Sequence, residues 1–458
     1  MSRQSVWSPS PAPDGQLDAA DIRSGLERGE LPAWVFSDLT LYRAEMDRVF
    51  PASWCYLGHE SEIPRPGDFV TRSLGDDSVI ITRDTAGALH CLLNTCRHRG
   101  MQVCRVDRGN ASRFTCPYHG WTYSSTGELT GVPAERAAYD GLDTSQWGLH
   151  PVAQLDTYRG LIFATWSADA PPLETYLGAM AWYLDLLFNR SEGGLEVIGP
   201  AQRWIVDANW KIAADNFIGD GYHILTTHGF AFAAGLSAAR LPGAPVRDRP
   251  PIRHYHVYAG NGHGVQLVGG APPSAQRTYL GLPQELWPQL EANLSQGQRE
   301  AIEYATTVHG TVFPNLSLLN AVTPTPDGSP IGYITLRQWQ PKGPDKMELW
   351  SWFLVERSAP EWYRQASYET YVLKFGAGGT FEQDDTEIWT RITQGAKGTR
   401  GRRNRLAYLM GLDGLEQDHS WPGPGEAYSV PFCELNQRRF FGRWLELLAG
   451  EETRAAGR

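Results

Sequence analysis

The period of hydrophobic and polar positions changes several times along the chain, and each change marks an element. "DLTLYRAEMDRVF", Asp38 to Phe50, has an acidic start and apolar residues at helical spacing, which predicts a helix stopping at Pro51. From about Trp54 to Trp166 the texture turns to short β-rich runs, "DFVTRSL", "SVIITRD", "ALHCLL" and "GLIFATW", separated by Gly, Asp and Pro turns. These runs predict a compact antiparallel β unit, and "ADAPPLE" with Pro171 and Pro172 marks its boundary. Beyond it, "NWKIAADNFIGDGYHILTTH" begins helically. "RHYHVYA", "GTVFPNLSLLNAV", "IGYITLRQWQP" and "MELWSWFLVE" read as strands, and "PEWYRQASYETYVLKFG" and the segment after Gly379 read as helices. Strands followed by helices predict an α+β fold with an antiparallel sheet covered by helices. "AGNGHGVQ", Ala259 to Gln266, lacks the glycine spacing of a dinucleotide-binding turn and reads as a flexible loop near a pocket.

Composition narrows the picture. A chain of 458 residues is long enough for two domains. A net charge of −10 gives no reason to seek phosphate backbones, so nucleic-acid binding is not expected. No apolar run reaches the ~18 residues of a membrane span. "MSRQSVWSPSPAPDGQ" lacks the apolar core of a secretory signal and reads as a disordered lead-in, and "GEETRAAGR" as a fraying end. Six cysteines are too few and too uneven for a disulfide framework, which fits a reducing cytoplasm.

The chemistry concentrates in two places. Between Asn94 and Trp121, Cys96-x-His98 and Cys116-x-x-His119 form two ligand pairs. Structural zinc uses the same ingredients, but a zinc finger keeps its cysteines in one pair and its histidines in the other. Two mixed pairs suit a Rieske [2Fe–2S] cluster, with both thiolates on one iron and both imidazoles on the other. Cys104 falls outside that spacing and reads as a buried apolar residue. The second place is "ADNFIGDGYHILTTHGF", Ala214 to Phe230. Asp220 and His223, three apart, share a face of a helix. His228 lies five beyond His223, so a helix carrying both to one ion must break, at Thr226–Thr227. A facial triad for non-haem iron also needs a carboxylate. "GTFEQDDTEIW" offers Glu382, Asp384, Asp385 and Glu387, and spacing does not choose among them. His254 and His256 alternate along one strand and read as sheet residues.

Taken together, "CRHRG", "CPYHGWTY", "NWKIAADNFIGDGYH" and "FGAGGTFEQDD" resemble the large subunit of Rieske non-haem iron ring-hydroxylating oxygenases, of the naphthalene and biphenyl dioxygenase kind. The resemblance runs from about Leu31 to Leu448. It implies an N-terminal segment over 1–53 packing on the catalytic domain, a Rieske domain over 54–168, and a catalytic domain over 169–458. It implies Cys96, Cys116, His98 and His119 on the cluster, and His223, His228 and Asp385 on a mononuclear Fe(II). Asp220 matches the acid that bridges a cluster histidine of one subunit to an iron histidine of the next, here His119 to His223. That implies a ring of three large subunits, in many relatives with three small β subunits. Asn216 and Phe217 match positions beside the iron, and Phe375 and Phe381 match pocket walls. The implied reaction is cis-dihydroxylation of an aromatic ring by O2, with electrons from NAD(P)H through a separate reductase or ferredoxin. An apolar pocket favours a neutral, polycyclic hydrocarbon. An aromatic carboxylate such as a phthalate would need a basic group, for which "RDRPPIRHYH" offers Arg247, Arg249 and Arg253. A Rieske monooxygenase or demethylase would use the same metals.

Overall fold

The computed structural model describes residues 19–234, 252–270, 277–325 and 328–450. Contacts divide them into two compact units: Phe50–Thr175, and the chain up to Val49 together with the chain from Tyr176 onward.

The unit Phe50–Thr175 is built from three antiparallel sheets. Leu89–Leu93, Asp77–Arg83, Asp68–Leu74 and Arg108–Asn110 form one; Gln154–Tyr158, Leu161–Thr165 and Cys55–His59 a second; Arg113–Thr115, Thr122–Ser124 and Leu129–Gly131 the third. All four β-rich runs of the sequence are strands here. Phe69, Ile80, Leu92, Trp121 and Tyr123 are buried in its core together with Cys96 and Cys116.

The second unit is organised on a nine-stranded sheet. Its antiparallel path runs Leu195–Val197, Lys346–Glu356, Pro330–Gly343, Leu316–Pro324, Ala305–Val312, His263–Gly270, Ile252–Gly260 and Glu426–Tyr428, with Gln202–Val206 also paired to Lys346–Glu356. "GTVFPNLSLLNAV", which reads as one strand, is the end of one strand and the start of the next, turning through Phe313–Asn315. "AGNGHGVQ" is not a flexible loop. Asn261 and Gly262, both at positive φ (+49° and +77°), close a tight hairpin between two sheet strands. Asn-Gly is the pair such a turn prefers, because its twist matches that of the strands.

Helices Trp210–Phe217 and Glu361–Phe375 pack on the central strands, and Thr380–Lys397 packs on both helices. Asn209 caps the first of them by accepting the Lys211 amide at 3.1 Å. Phe381, Asp385, Trp389, Thr393 and Ala396 make a buried stripe along Thr380–Lys397 at three- and four-residue spacing, so the sheet-side face of that helix carries Asp385 inward. Asp38 caps the first predicted helix through the Leu41 amide. That helical stretch continues one residue past Pro51, to Ala52, rather than stopping at the proline.

Candidate metal centres

In the unit Phe50–Thr175 two loops of one design face each other. The Cys96 amide donates to the Met101 carbonyl (2.8 Å) and the Gly100 amide to the Cys96 carbonyl (2.9 Å). The second loop repeats this, Cys116 to Trp121 (2.8 Å) and Gly120 to Cys116 (3.0 Å). Gly100 and Gly120 sit at φ +72° and +77°, which glycine enters without steric cost. The loops bring the His98 and His119 rings to a centroid separation of 4.5 Å. His98 also stacks on Trp121 at 5.1 Å and 11°. Cys96 and Cys116 are buried and carry no disulfide, and Cys96 Sγ lies 3.3 Å from the Tyr123 hydroxyl. His119 is exposed and His98 half-buried, with its Nδ1 enclosed and without a partner. Buried thiols on one side and outward imidazoles on the other fit a two-iron cluster whose histidine iron faces the electron donor or acceptor. Cys104 packs in the core, its Sγ near Thr71 Oγ1 and the Val106 carbonyl.

In the other unit the helix ends at Phe217, earlier than the sequence reading places the break. Asp220 and His223 therefore meet through a turn rather than along a helix face. Asp220 Oδ1 accepts the amides of Tyr222 (3.0 Å) and His223 (3.2 Å). This starts the short 3-10 turn His223–Leu225, after which Thr226 ends the turn and His228 swings back.

His223, His228 and Asp385 place one donor atom each within 4.8 Å of the others. Asp385 Oδ1 is 3.6 Å from His223 Nε2 and 3.2 Å from His228 Nε2. The opposite ring nitrogens are engaged. His223 Nδ1 donates to the Asp220 carbonyl at 2.5 Å, and the Asn216 amide lies 3.2 Å from it. His228 Nδ1 faces Asp384 Oδ2 at 3.2 Å. Both Nε2 lone pairs are thereby aimed at the same point, as metal-ligating histidines require. Asp384 and Asp385, adjacent on one helix, contact opposite sides of the same imidazole. Burial alone would push the His223 pKa down, but Asp220 and Asp385 outweigh it and hold the ring at about 9. An ion entering the trio displaces that proton.

A cavity of about 460 Å³ opens from the trio. Phe217, Phe375 and Phe381 are walls of it, with Phe381 at 4.9 Å from the His228 ring and 5.5 Å from Phe375. Behind the walls the Arg337 guanidinium lies 5.9 Å from the Phe217 ring and 5.2 Å from Phe375. It is tied to Glu382, whose carboxyl burial pushes up to about 7 against the pull of that arginine. Among the described residues, no Lys or Arg lines the cavity. Arg253 is exposed and lines a different depression; Arg247 and Arg249 lie outside the described residues. His254 sits on its strand as expected yet reaches the cavity, as do His309, Leu319, Thr323 and Tyr333, which the sequence reading did not single out.

Residues 53–158 match the Rieske [2Fe-2S] domain family, and residues 173–437 the catalytic domain of the ring hydroxylating alpha subunit family. N,N-dimethyl phenylurea N-demethylase subunit alpha of Sphingobium sp. (strain YBL2) is 36% identical over 439 residues, 94% of each chain. Biphenyl 2,3-dioxygenase subunit alpha of Rhodococcus jostii (strain RHA1) is 36% identical over 436 residues, 93% of this chain and 90% of that one. The crystal structure of naphthalene 1,2-dioxygenase from Rhodococcus sp., bound to indole, superposes with a TM-score of 0.87 at 43% identity, over 94% of this chain and 99% of that one. Among the described residues, no helix is long and apolar enough to cross a membrane. With cysteine–histidine pairs on two facing loops, and a His223–His228–Asp385 cluster beside an aromatic-lined cavity, this chain belongs to the ring-hydroxylating dioxygenase family as an alpha subunit, an oxidoreductase that uses a Rieske [2Fe–2S] cluster and a mononuclear iron.

Proposed function

We propose that this chain is the large subunit of a terminal oxygenase that converts a neutral, polycyclic aromatic hydrocarbon to its cis-dihydrodiol. The ring takes up both atoms of O2 with two electrons and two protons. The observation that carries this reading is the placement of His223, His228 and Asp385 at one end of a cavity walled by Phe217, Phe375 and Phe381 and free of lining cations among the described residues. Among the described residues, a carboxylate substrate would find no lysine or arginine there.

In this reading Cys96 and Cys116 hold one cluster iron and His98 and His119 the other, while His223, His228 and Asp385 hold the mononuclear iron. When bound, these groups supply one-electron transfer and activation of O2. The chain itself orients and excludes. Asp220 and Asn216 fix the tautomer and direction of His223, and Asp384 does so for His228. The three phenylalanines hold the ring flat and keep water from the reacting face. The cluster domain is taken as 54–168, the catalytic domain as 169–458 and 1–53 as a segment packing on the latter. Asp220 also bridges His223 to His119 of a second copy, so the active form is a ring of three, alone or with three small β subunits. Electrons arrive from a separate ferredoxin or reductase. Six free cysteines, all buried, support a cytoplasmic setting.

A relative named as an N-demethylase supports a second reading, monooxygenation of an N-methyl group. Turnover under 18O2 with a surrogate reductase separates the two. Two labels in a dihydrodiol support dioxygenation. One label lost with the cleaved methyl carbon overturns it, and metal analysis short of about three irons per chain overturns both.

A further inference from the structure

Arg337 is wholly buried and is not one of the residues that line the cavity, yet its guanidinium lies against two of the cavity walls, Phe217 and Phe375. It stands on the strand Pro330–Gly343 four positions after Tyr333, so both side chains leave the sheet on the face that carries the site. Its cross-strand neighbours are Ser317 on one side and Ser351 on the other. Two small side chains leave the long arginine room to rise from the sheet toward the helices.

There one guanidinium meets the end of one helix and the start of the next. Nη2 donates to the Phe375 carbonyl at 2.7 Å, and Nη1 donates to the Glu382 carboxylate. Phe375 is the last residue of helix Glu361–Phe375, where carbonyls lack partners within the helix and a cation is favoured. Glu382 lies in the first turn of Thr380–Lys397. The two bonds therefore clasp the connection between the helices. Phe375 and Phe381 are cavity walls at its two ends, and Asp385, the carboxylate of the metal trio, follows Glu382 by three positions, almost one helical turn.

Three of the four residues of that connection, 376–379, are glycine. It packs tightly on the helix end, since a Cβ on Gly379 would come within 2.5 Å of the Lys374 carbonyl oxygen. Two further contacts hold it from outside: the Ala377 amide donates to Gln202 Oε1 at 3.0 Å, and the Thr380 hydroxyl to the Leu373 carbonyl at 3.2 Å. Both are exposed, and water competes for them. Arg337 holds the connection from the buried side, with charge-assisted bonds whose direction is set by a planar fork.

We infer that Arg337 is a positioning residue that sets the site of oxidation: by fixing Phe375 and Phe381 against His223, His228 and Asp385, it determines which bond of the bound ring meets the metal. This rests on the ring-hydroxylating reading above and deepens it. Arg337 acts through the Phe375 carbonyl and the Glu382 turn, without touching substrate. A buried pair that served stability alone could be exchanged for apolar side chains of similar volume, often at no loss. A pair that serves position could not.

The test uses phenanthrene, whose ring bonds are inequivalent, on the iron-loaded oxygenase with a surrogate reductase. Arg337→Met/Glu382→Met removes both polar heads together, so neither is left buried alone. Arg337→Lys keeps a cation beside Glu382, but a single ammonium does not reproduce the fork to the Phe375 carbonyl as well. Both proteins should keep the Rieske absorbance and the iron content of wild type. The ratio of regioisomeric dihydrodiols should shift by about tenfold or more in the double variant, the equivalent of one hydrogen bond, and by less in the same direction in Arg337→Lys. A wild-type ratio in the double variant overturns the inference. Where the double variant does not fold, a wild-type ratio in Arg337→Lys does so. Iron loss with an unchanged ratio in the remaining activity also overturns it and leaves a structural pair. Dissociation constants of phenanthrene and naphthalene, measured without turnover, read the wall position apart from the chemistry, and their ratio should change in both variants. Wild-type protein that binds both hydrocarbons and oxidises neither would sink the ring-hydroxylating reading, and the ratio of binding constants would then decide the role of Arg337.

Discussion

Replacing Asp384 with alanine asks whether the acid beside His228 tunes the ion that this ring would hold. Asp384 Oδ2 is 3.2 Å from His228 Nδ1, and on the other side of the ring His228 Nε2 is 3.2 Å from Asp385 Oδ1. The Asp384 carboxylate thus fixes the proton on Nδ1 and makes Nε2 the more basic donor. Removing such a partner typically lowers metal affinity about 10- to 100-fold, or about 1.4–2.8 kcal/mol. The Asp384 side chain is 29% exposed, so water screens part of its charge, and the expectation falls at the lower end, about tenfold. Asp384→Asn keeps an oxygen acceptor but loses the charge, and should fall between wild type and alanine. The assay is competition for Fe(II) against a chelator of known affinity, with the visible absorbance of the Rieske cluster recorded on the same sample. That cluster lies in the unit Phe50–Thr175, so its spectrum should not change. An Asp384→Ala protein that holds iron as tightly as wild type would refute the orienting role. Parallel loss of the cluster would also refute it, because general unfolding would then explain the weaker binding.

Other sites give independent expectations. Asp220→Ala should retain iron at both centres and lose turnover, with single-turnover cluster reoxidation at least about tenfold slower; full activity would contradict the bridge to a second copy. His263 donates from Nε2 to the Tyr176 carbonyl (3.0 Å) and accepts the Phe313 amide at Nδ1 (2.9 Å), leaving a second proton no acceptor, and burial holds its pKa at about 4. Since the unfolded ring titrates near 6.5, the unfolded state alone takes up a proton between those values, so stability should fall by up to about 3 kcal/mol as pH drops from ~6.5 to ~4, and denaturant midpoints of His263→Gln should show a shallower slope than wild type. Glu45 is wholly buried, 2.5 Å from Lys211 Nζ and 3.0 Å from the indole nitrogens of Trp210 and Trp444. Glu45→Ala strands the lysine cation and should cost about 3–5 kcal/mol, read as a lower urea midpoint; a loss below about 1 kcal/mol would show that water reaches the site.

What could be read from the sequence divides by the reach of each interaction. The cluster loops were legible because each is closed by its own backbone within six residues, so Cys96-x-His98 and Cys116-x-x-His119 carry their geometry in their spacing. The histidine pair was half legible. Nearness in sequence brought His223 and His228 together, but the turn that does so starts from Asp220's own carboxylate, and a helical reading of Asp220 to His223 missed it. The choice between Asp384 and Asp385 was not legible from spacing, because it depends on which face of Thr380–Lys397 the sheet covers. The structure uses both acids, one on each nitrogen of His228. Least visible were Thr323 and Tyr333. Their strands are buried almost end to end, with helices on the face that carries the site, so no alternation marks which residues look into the cavity. Register across three strands decides it, and register is a property of pairs of segments rather than of either one.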